Sequence, residues 1–486
     1  MAHGHMIPTL DMAKLFTSRG LKTTIIATPS FAHSIKKAQE SGHNIGLSII
    51  NFPPEKSSLP KNILSLDQVS TPDMLSQFFR AVSLLQEPVE KLLHELNPNC
   101  LVSDTFLPWT DGFLPWTFIS AAKLGIPRLV FHGISCFALC ASEQMDIHKP
   151  YRNVLSDSEP FVLPNLPHQL TFVRTQLPLR EGEDEDESPF AKLKQQMKVS
   201  DEKSYGVIIN SFHELEPAYA DHYKNRMGKK AWHIGPLLLC NQNNERLAQR
   251  GKESSIDEHK CLAWLDSKRP DSVVYVCFGS MVTFTPAQLH ETAVGLEASG
   301  QDFIWVVRRG KHEEDEKNED WLPQGFEERT KGKGLIIRGW APQVMILDHP
   351  SIGAFVTHCG WNSTLEGICA GVPMVTWPAF AEQFYNEKMV TEVLGTGVSV
   401  GNKKWEKVGS EGVPRRASEG VLREAVKKAV RRIMVGEVAK KMRIRAKCYK
   451  EMARKAVKEG GSSYSDLNAL IDELSIYVPP KKQDTN

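Results

Sequence analysis

Residues Trp340 to Gln383 read WAPQVMILDHPSIGAFVTHCGWNSTLEGICAGVPMVTWPAFAEQ. A strand-like run, GAFVT, ends at His358, and HCGWNS leads from it into a helical pattern. PMVTW then reads as a further strand. In open α/β sheets, ligands bind at the carboxyl ends of strands, where helices begin. A helix N-terminus offers unpaired N–H groups and the positive end of its dipole, which suits a phosphate. Gly360, Asn362 and Ser363 fit such a junction, with little bulk and hydrogen-bonding side chains, and His358 adds a further donor. Each residue also has a plain explanation. Ser363-Thr-Leu-Glu366 is a capping box, Trp340 and Trp361 suit half-buried packing, and His358 suits a core. Their grouping at one strand–helix junction favours a binding site.

The alternation of short apolar runs with helical patterns extends outward in both directions, which predicts α/β architecture with parallel sheets. Strands are predicted at Ser272–Phe278, Asp302–Val307, Leu335–Ile337, Gly353–Thr357 and Pro373–Trp377. Leu422, Val426, Val430 and Ile433 fall on one helical face, and a last helix follows Gly460-Gly461 with Leu467, Leu470, Ile471 and Leu474. Upstream, Thr23–Ala27, Cys100–Ser103 and Arg128–Phe131 read as strands, and Met74–Leu96 as one long helical stretch. The acidic run Leu179–Phe190 reads as a solvated loop. Polar, turn-rich Asn241–Lys260 reads as a linker. The expected layout is a Rossmann-like domain over 1–240, a linker over 241–260, a second Rossmann-like domain over 261–460, and a C-terminal helix and tail over 461–486 that pack back on the first domain.

A length of 486 residues suits two cores rather than one. The 59 basic and 58 acidic side chains nearly cancel, so bulk charge makes no case for nucleic acid or an anionic membrane. No apolar run is long enough to cross a bilayer, and the opening residues do not read as a secretory leader, so none is expected. Nine scattered cysteines without a CxxC pair argue against disulfide staples and zinc, so the cytoplasm is the expected compartment.

The segment from Trp340 to Gln383 closely resembles the 44-residue box of the plant secondary-product UDP-glycosyltransferases, without a gap. HGHMIP at the front and VVYVCFGSM (Val273–Met281) extend the resemblance over nearly the whole chain. The resemblance implies a GT-B fold, in which two Rossmann-like domains face one another across a cleft. It implies that Trp340 stacks on uracil, that the Ala341 backbone pairs with the uracil edge, and that Gln343 and Glu366 hold the ribose. His358, Asn362, Ser363 and Ser280 would contact the diphosphate, at the junction that Gly360 keeps open. Glu382 and Gln383 would bind sugar hydroxyls, with Trp361 nearby. In the family a terminal Gln goes with glucose and His with galactose, so UDP-glucose is the expected donor and UDP-glucuronate an alternative. No metal and no further cofactor are implied, and a monomer is expected.

The resemblance also supplies a base. By position it is His5 of HGHMIP, with His3 incidental. An ordinary histidine, with its pKa near ~6.5, is neutral at neutral pH, and a carboxylate on its other nitrogen would stabilise the imidazolium that forms. The aspartate partner is complicated by a tandem duplication, DTFLPWT (Asp104–Thr110) followed by DGFLPWT (Asp111–Thr117). Asp104 ends the strand CLVSD, whereas Pro108 bars a central strand before Asp111, so Asp104 is expected. The loop Thr105–Phe118 would border the acceptor pocket. The expected reaction is single displacement with inversion, moving glucose to a hydroxyl of a flavonoid, coumarin or triterpenoid aglycone. The family places a strand ahead of HGHMIP that this sequence lacks. That motivates a second expectation, a truncated protein that binds UDP-sugar with impaired turnover.

Overall fold

The computed structural model describes residues 3–52, 59–60, 63–69, 71–105, 116–178, 198–240, 250–251, 253–282, 284–307, 321–405 and 420–478. The acidic run Leu179–Phe190, residues 106–115 of the duplication including Asp111, and residues 241–249 of the linker lie outside them.

The chain enters through α1 (His3–Ser18), which includes HGHMIP. Pro8 lies inside it without ending it. Proline has no N–H to give to the carbonyl four residues back, here that of Gly4. The Gly4 carbonyl instead accepts from the Asn362 side chain, far along the sequence. Next come β1 (Thr23–Ala27) and β2 (Ile45–Ile49), paired parallel. Then follow β3 (Leu101–Thr105) and β4 (Arg128–His132), an antiparallel hairpin of β5 (Pro160–Leu163) and β6 (Leu170–Val173), β7 (Gly206–Ile209) and β8 (Ala231–His233). β3, β4, β7 and β8 form a four-stranded parallel sheet in that order. All five residues of β4 are buried, as expected of a parallel strand covered on both faces. Among the described residues β1–β2 and this sheet share no strand pairing. The first helix joins them through packing: Met6 and Ala13 enter a core with Ile25 and Phe31, while Met12 and Leu15 enter one with Leu129, Phe131 and Ile208.

The predicted helix Met74–Leu96 is two helices, Pro72–Ser83 and Gln86–Leu96. Pro88 explains the break, because its ring and missing N–H do not allow an uninterrupted helix through the turn before it. Thr71 caps the first of the pair, accepting from the Met74 N–H at 3.2 Å.

The second half is a six-stranded parallel sheet of β9 (Val273–Cys277), β10 (Asp302–Val307), β11 (Gly334–Arg338), β12 (Ile352–Thr357), β13 (Met374–Thr376) and β14 (Gly397–Ser399). Its order is β11-β10-β9-β12-β13-β14. This is the order of a doubly wound dinucleotide-binding sheet, with its switch point between β9 and β12. The chain runs outward to β10 on one side of β9 and to β12 on the other, so the loops after β9 and β12 diverge and leave a crevice. On the helix Arg423–Met434, Val426, Val430 and Ile433 are buried, but Leu422 precedes the helix and is half exposed.

Asp257 caps the helix Glu258–Asp266 by accepting from the Lys260 N–H at 2.9 Å, so the last residues of the expected linker are helical. The helix Ser462–Ser475 returns to the first half, where Leu467 and Leu470 pack against Leu129, Phe131 and Trp232. Leu470 is fully buried there. Leu470→Ala should therefore destabilise the protein by about 2–5 kcal/mol, the usual range for a buried leucine. Urea unfolding with limited proteolysis would check this, with cleavage appearing first in the N-terminal half.

Candidate active site

The site grows from the switch point. Beyond β12, the ring of His358 lies between two glycines from different loops. A Cβ on Gly279, after β9, would fall 2.5 Å from His358 Cε1, and one on Gly360 would fall 2.6 Å from His358 Nε2. Only glycine leaves room for the imidazole at both positions, and Gly279 also has φ +69°. Cys359 turns the chain with φ +64°, unusual for a side chain of its size, and Asn386 Nδ2 holds its carbonyl at 2.8 Å.

The helix Trp361–Ala370 starts immediately afterwards with Gly360 as its N-cap. Ser363 and Glu366 lie inside the helix, so the capping-box explanation fails. Capping comes from elsewhere: Glu382 Oε1 accepts from the Trp361 N–H at 3.1 Å. Ser363 and Glu366 are instead drawn together by Gln343, whose Nε2 donates to Ser363 Oγ at 3.0 Å and to Glu366 Oε2 at 2.6 Å. Tyr275 on β9 fixes the other end of that amide, donating to Gln343 Oε1 at 3.2 Å. Trp340 is held by its backbone, with its N–H donating to Ser255 Oγ at 2.8 Å.

On the next turn Ala381 has φ +55° and leads into Glu382 and Gln383. Burial pushes the Glu382 carboxyl above the usual carboxylate range, opposed by the Trp361 N–H and by the nearby His5. Gln383 Oε1 accepts from the N–H groups of Ala379 and Phe380 at 2.8 and 3.0 Å. Both acceptor contacts are made by the loop, which leaves the amide nitrogen as the donor end.

Across the crevice, His5 Nδ1 lies 3.0 Å from Asp104 Oδ1 and 2.8 Å from Oδ2. Asp104 stands near the end of β3, opposite Phe131 of β4. One continuous cleft is lined by His5, Ser280, Trp340, Ala341, Gln343, His358, Gly360, Trp361, Asn362, Ser363, Glu366, Glu382 and Gln383. Asp104 sits behind His5 rather than in the lining. The halves are bound together at the cleft. Trp361 Nε1 donates to the Asn210 carbonyl at 2.8 Å, Asn362 donates to the Gly4 carbonyl, and Tyr385 meets Phe172 edge-on at 5.4 Å.

Sequence reasoning missed Arg250, whose guanidinium bridges Asp11 and Glu366 within this cleft. It stands in a polar, periodicity-free stretch that carries no signal of burial. Asn210, Gly133 and Ile134 were also missed, because they acquire their place only when the halves meet.

The family model described as UDP-glucoronosyl and UDP-glucosyl transferase matches residues 252–435. Scopoletin glucosyltransferase of Nicotiana tabacum is 57% identical over 481 residues, covering 98% of this chain and 97% of that protein. The chain belongs to the plant family 1 UDP-glycosyltransferases. Anthocyanin 3′-O-beta-glucosyltransferase of Gentiana triflora is 53% identical over 483 residues, covering 98% and 97% of the two chains. Among solved structures, a Glycyrrhiza uralensis UGT complexed with glycyrrhetinic acid 3-O-monoglucuronide superposes with a TM-score of 0.86 at 40% identity, covering 98% of this chain and 94% of that one. The fold is GT-B, and the protein is a UDP-glycosyltransferase.

If His5 is the base, His5→Ala should reduce transfer by about 10²–10⁴-fold, the usual worth of general-base catalysis. UDP affinity, measured by calorimetry, should change less than about twofold. Unchanged turnover would remove His5 from the role.

Proposed function

We propose that this protein transfers glucose from UDP-glucose to a hydroxyl of a small lipophilic plant metabolite, a coumarin or other phenolic, a flavonoid or a triterpenoid aglycone. The observation that carries this reading is the placement of His5, backed by Asp104, across one cleft from Glu382 and Gln383. In this mechanism, the acceptor O–H gives its proton to His5 Nε2 while the oxygen attacks the anomeric carbon. Asp104 on Nδ1 fixes the tautomer and steadies the imidazolium. The bond from the anomeric carbon to the β-phosphate oxygen breaks, its electron pair leaves with UDP, and the configuration inverts. The N-terminus of helix Trp361–Ala370, with His358, Asn362, Ser363 and Ser280, takes up the charge of the departing diphosphate.

Trp340 would stack on uracil, an interaction worth roughly 1–3 kcal/mol. Gln383, with its oxygen already engaged by the loop, donates to a glucose hydroxyl, and Glu382 accepts from one. Ile7, Ile134, Met281 and Phe284 give the remainder of the cleft an apolar lining suited to an aglycone. The coumarin and anthocyanin activities of the relatives support the phenolic classes, and the glucuronide complex supports the triterpenoid class. Nine free thiols support a cytoplasmic protein. We take it to act as a monomer without metal or further cofactor.

The test is to incubate the purified protein with UDP-glucose, UDP-galactose or UDP-glucuronate and a panel of phenolic and triterpenoid acceptors. Mass spectrometry should detect hexosides, most rapidly with UDP-glucose. Faster transfer from another donor would overturn the glucose assignment. UDP binding without transfer or hydrolysis would instead support the reading as a binding protein with impaired turnover.

A further inference from the structure

Arg250 belongs to the segment that joins the two halves, and its side chain is only 11% exposed. One edge of its guanidinium holds Asp11 Oδ2 of α1, with Nε at 3.0 Å and Nη2 at 2.9 Å. The remaining nitrogen, Nη1, donates to Glu366 Oε1. Asp11 and Glu366 are themselves 5% and 8% exposed. Buried carboxylates need a partner charge, because losing it leaves a desolvated ion. The next residue, Gly251, has φ +95°, and a Cβ there would fall 2.4 Å from Trp340 Cζ2. The connection between the halves thus touches both residues read as holding the nucleoside, Trp340 beside the base and Glu366 beside the ribose.

We propose that Arg250 is a positioning residue of the donor site, which holds the Glu366 carboxylate in the orientation that receives the ribose diol and ties it through Asp11 to the helix carrying His5. This rests on the reading of Glu366 as the ribose-binding carboxylate. Glu366 Oε1 is engaged by Arg250 and Oε2 by Gln343, and each oxygen keeps a second acceptor site for a ribose hydroxyl. Fixed at both oxygens, the carboxylate cannot rotate away between turnovers. The planar fork suits the task because it engages two carboxylates at once from separate edges, whereas a lysine is a point charge.

The experiment compares UDP with 2′-deoxy-UDP by calorimetry on the full chain and three variants, with steady-state kinetics alongside. The wild type should prefer UDP by about tenfold, the usual worth of a hydrogen bond to a charged acceptor. Arg250→Ala should bring the preference to within about twofold and raise KM for UDP-glucose about tenfold, with a smaller fall in kcat. Arg250→Lys should fall between the two, and it decides the matter if the alanine variant does not fold. Glu366→Gln should lose the preference independently. If Glu366→Gln loses it while the Arg250 variants keep it, the role of Arg250 is overturned alone. If Glu366→Gln keeps it too, the ribose assignment falls and the inference falls with it.

Discussion

The cleft depends on one topological constraint, the reversal of strand order between β9 and β12. Crossovers that leave a parallel sheet in opposite directions separate the loops at that point, and a crevice opens that no neighbouring strand fills. Both loops bear a glycine there, Gly279 and Gly360. Gly279 and Gly360 do more than permit tight turns, for together they fix the His358 ring between them. The helix Trp361–Ala370 then begins with its N-cap on the cleft wall, and its capping partner, Glu382, arrives from the loop after β13. One carboxylate therefore completes the helix end and lines the cleft. In the proposed function, loss of Glu382 disturbs phosphate and sugar recognition together.

The second level of organisation is the contact between the halves. An inverting transfer needs its base and its leaving-group site in register, and displacements of about 1 Å are enough to lower rate steeply. Here the register is set by unlike interactions close to the chemistry. The Trp361 indole reaches the Asn210 carbonyl, and Asn362 reaches the Gly4 carbonyl one residue before His5. Pro8 makes the second contact possible by withholding the N–H that would otherwise occupy that carbonyl. A residue that resembles a fault in a helix thus supplies an acceptor to the other half of the molecule. Behind these bonds an apolar cluster continues from Val130 and Phe137 through Trp361 to Tyr385, so the polar contacts sit on a packed base.

Much of this was legible in the sequence, and the reasons are local. Strands such as VVYVC and DFIWVV are buried on both faces and read as unbroken apolar runs, so their positions came out within a residue or so. The residues from Trp340 to Gln383 are contiguous in sequence and gather around one switch point, so their meeting in one cleft could be read as a block. Failures arose where local signals conflict with distant partners. HGHMIP carries a glycine and a proline that disfavour a helix, yet it is helical, and its Gly4 carbonyl is satisfied from across the cleft. Ser363 and Glu366 match a capping box, yet Gly360 starts the helix and Gln343 claims both side chains. Arg250 had no local signature at all, since its burial is created by two carboxylates far away in sequence.

In the proposed function the two substrates are recognised by different physics, with consequences for selectivity. The wall proposed for the donor carries hydrogen-bonding groups that the protein itself holds: Gln343 at both ends, between Tyr275 and Glu366, Gln383 through its oxygen on loop N–H groups, and Glu382 on the Trp361 N–H. Such a site rejects an analogue that lacks the matching hydroxyl, because the unpaired buried group carries the penalty. The same cleft is also lined by Ile7, Ile134, Met281 and Phe284, the residues proposed to face the acceptor, with Gly133 beside the His5 imidazole. Apolar walls distinguish ligands weakly, at about 1–3 kcal/mol per methylene-sized difference, and they accept differing flat or fused-ring skeletons of similar width. What such a wall does fix is depth and orientation, and in the proposed reaction only a hydroxyl that reaches His5 loses its proton. On that reading, selectivity for the acceptor resides more in which hydroxyl is presented than in which skeleton carries it.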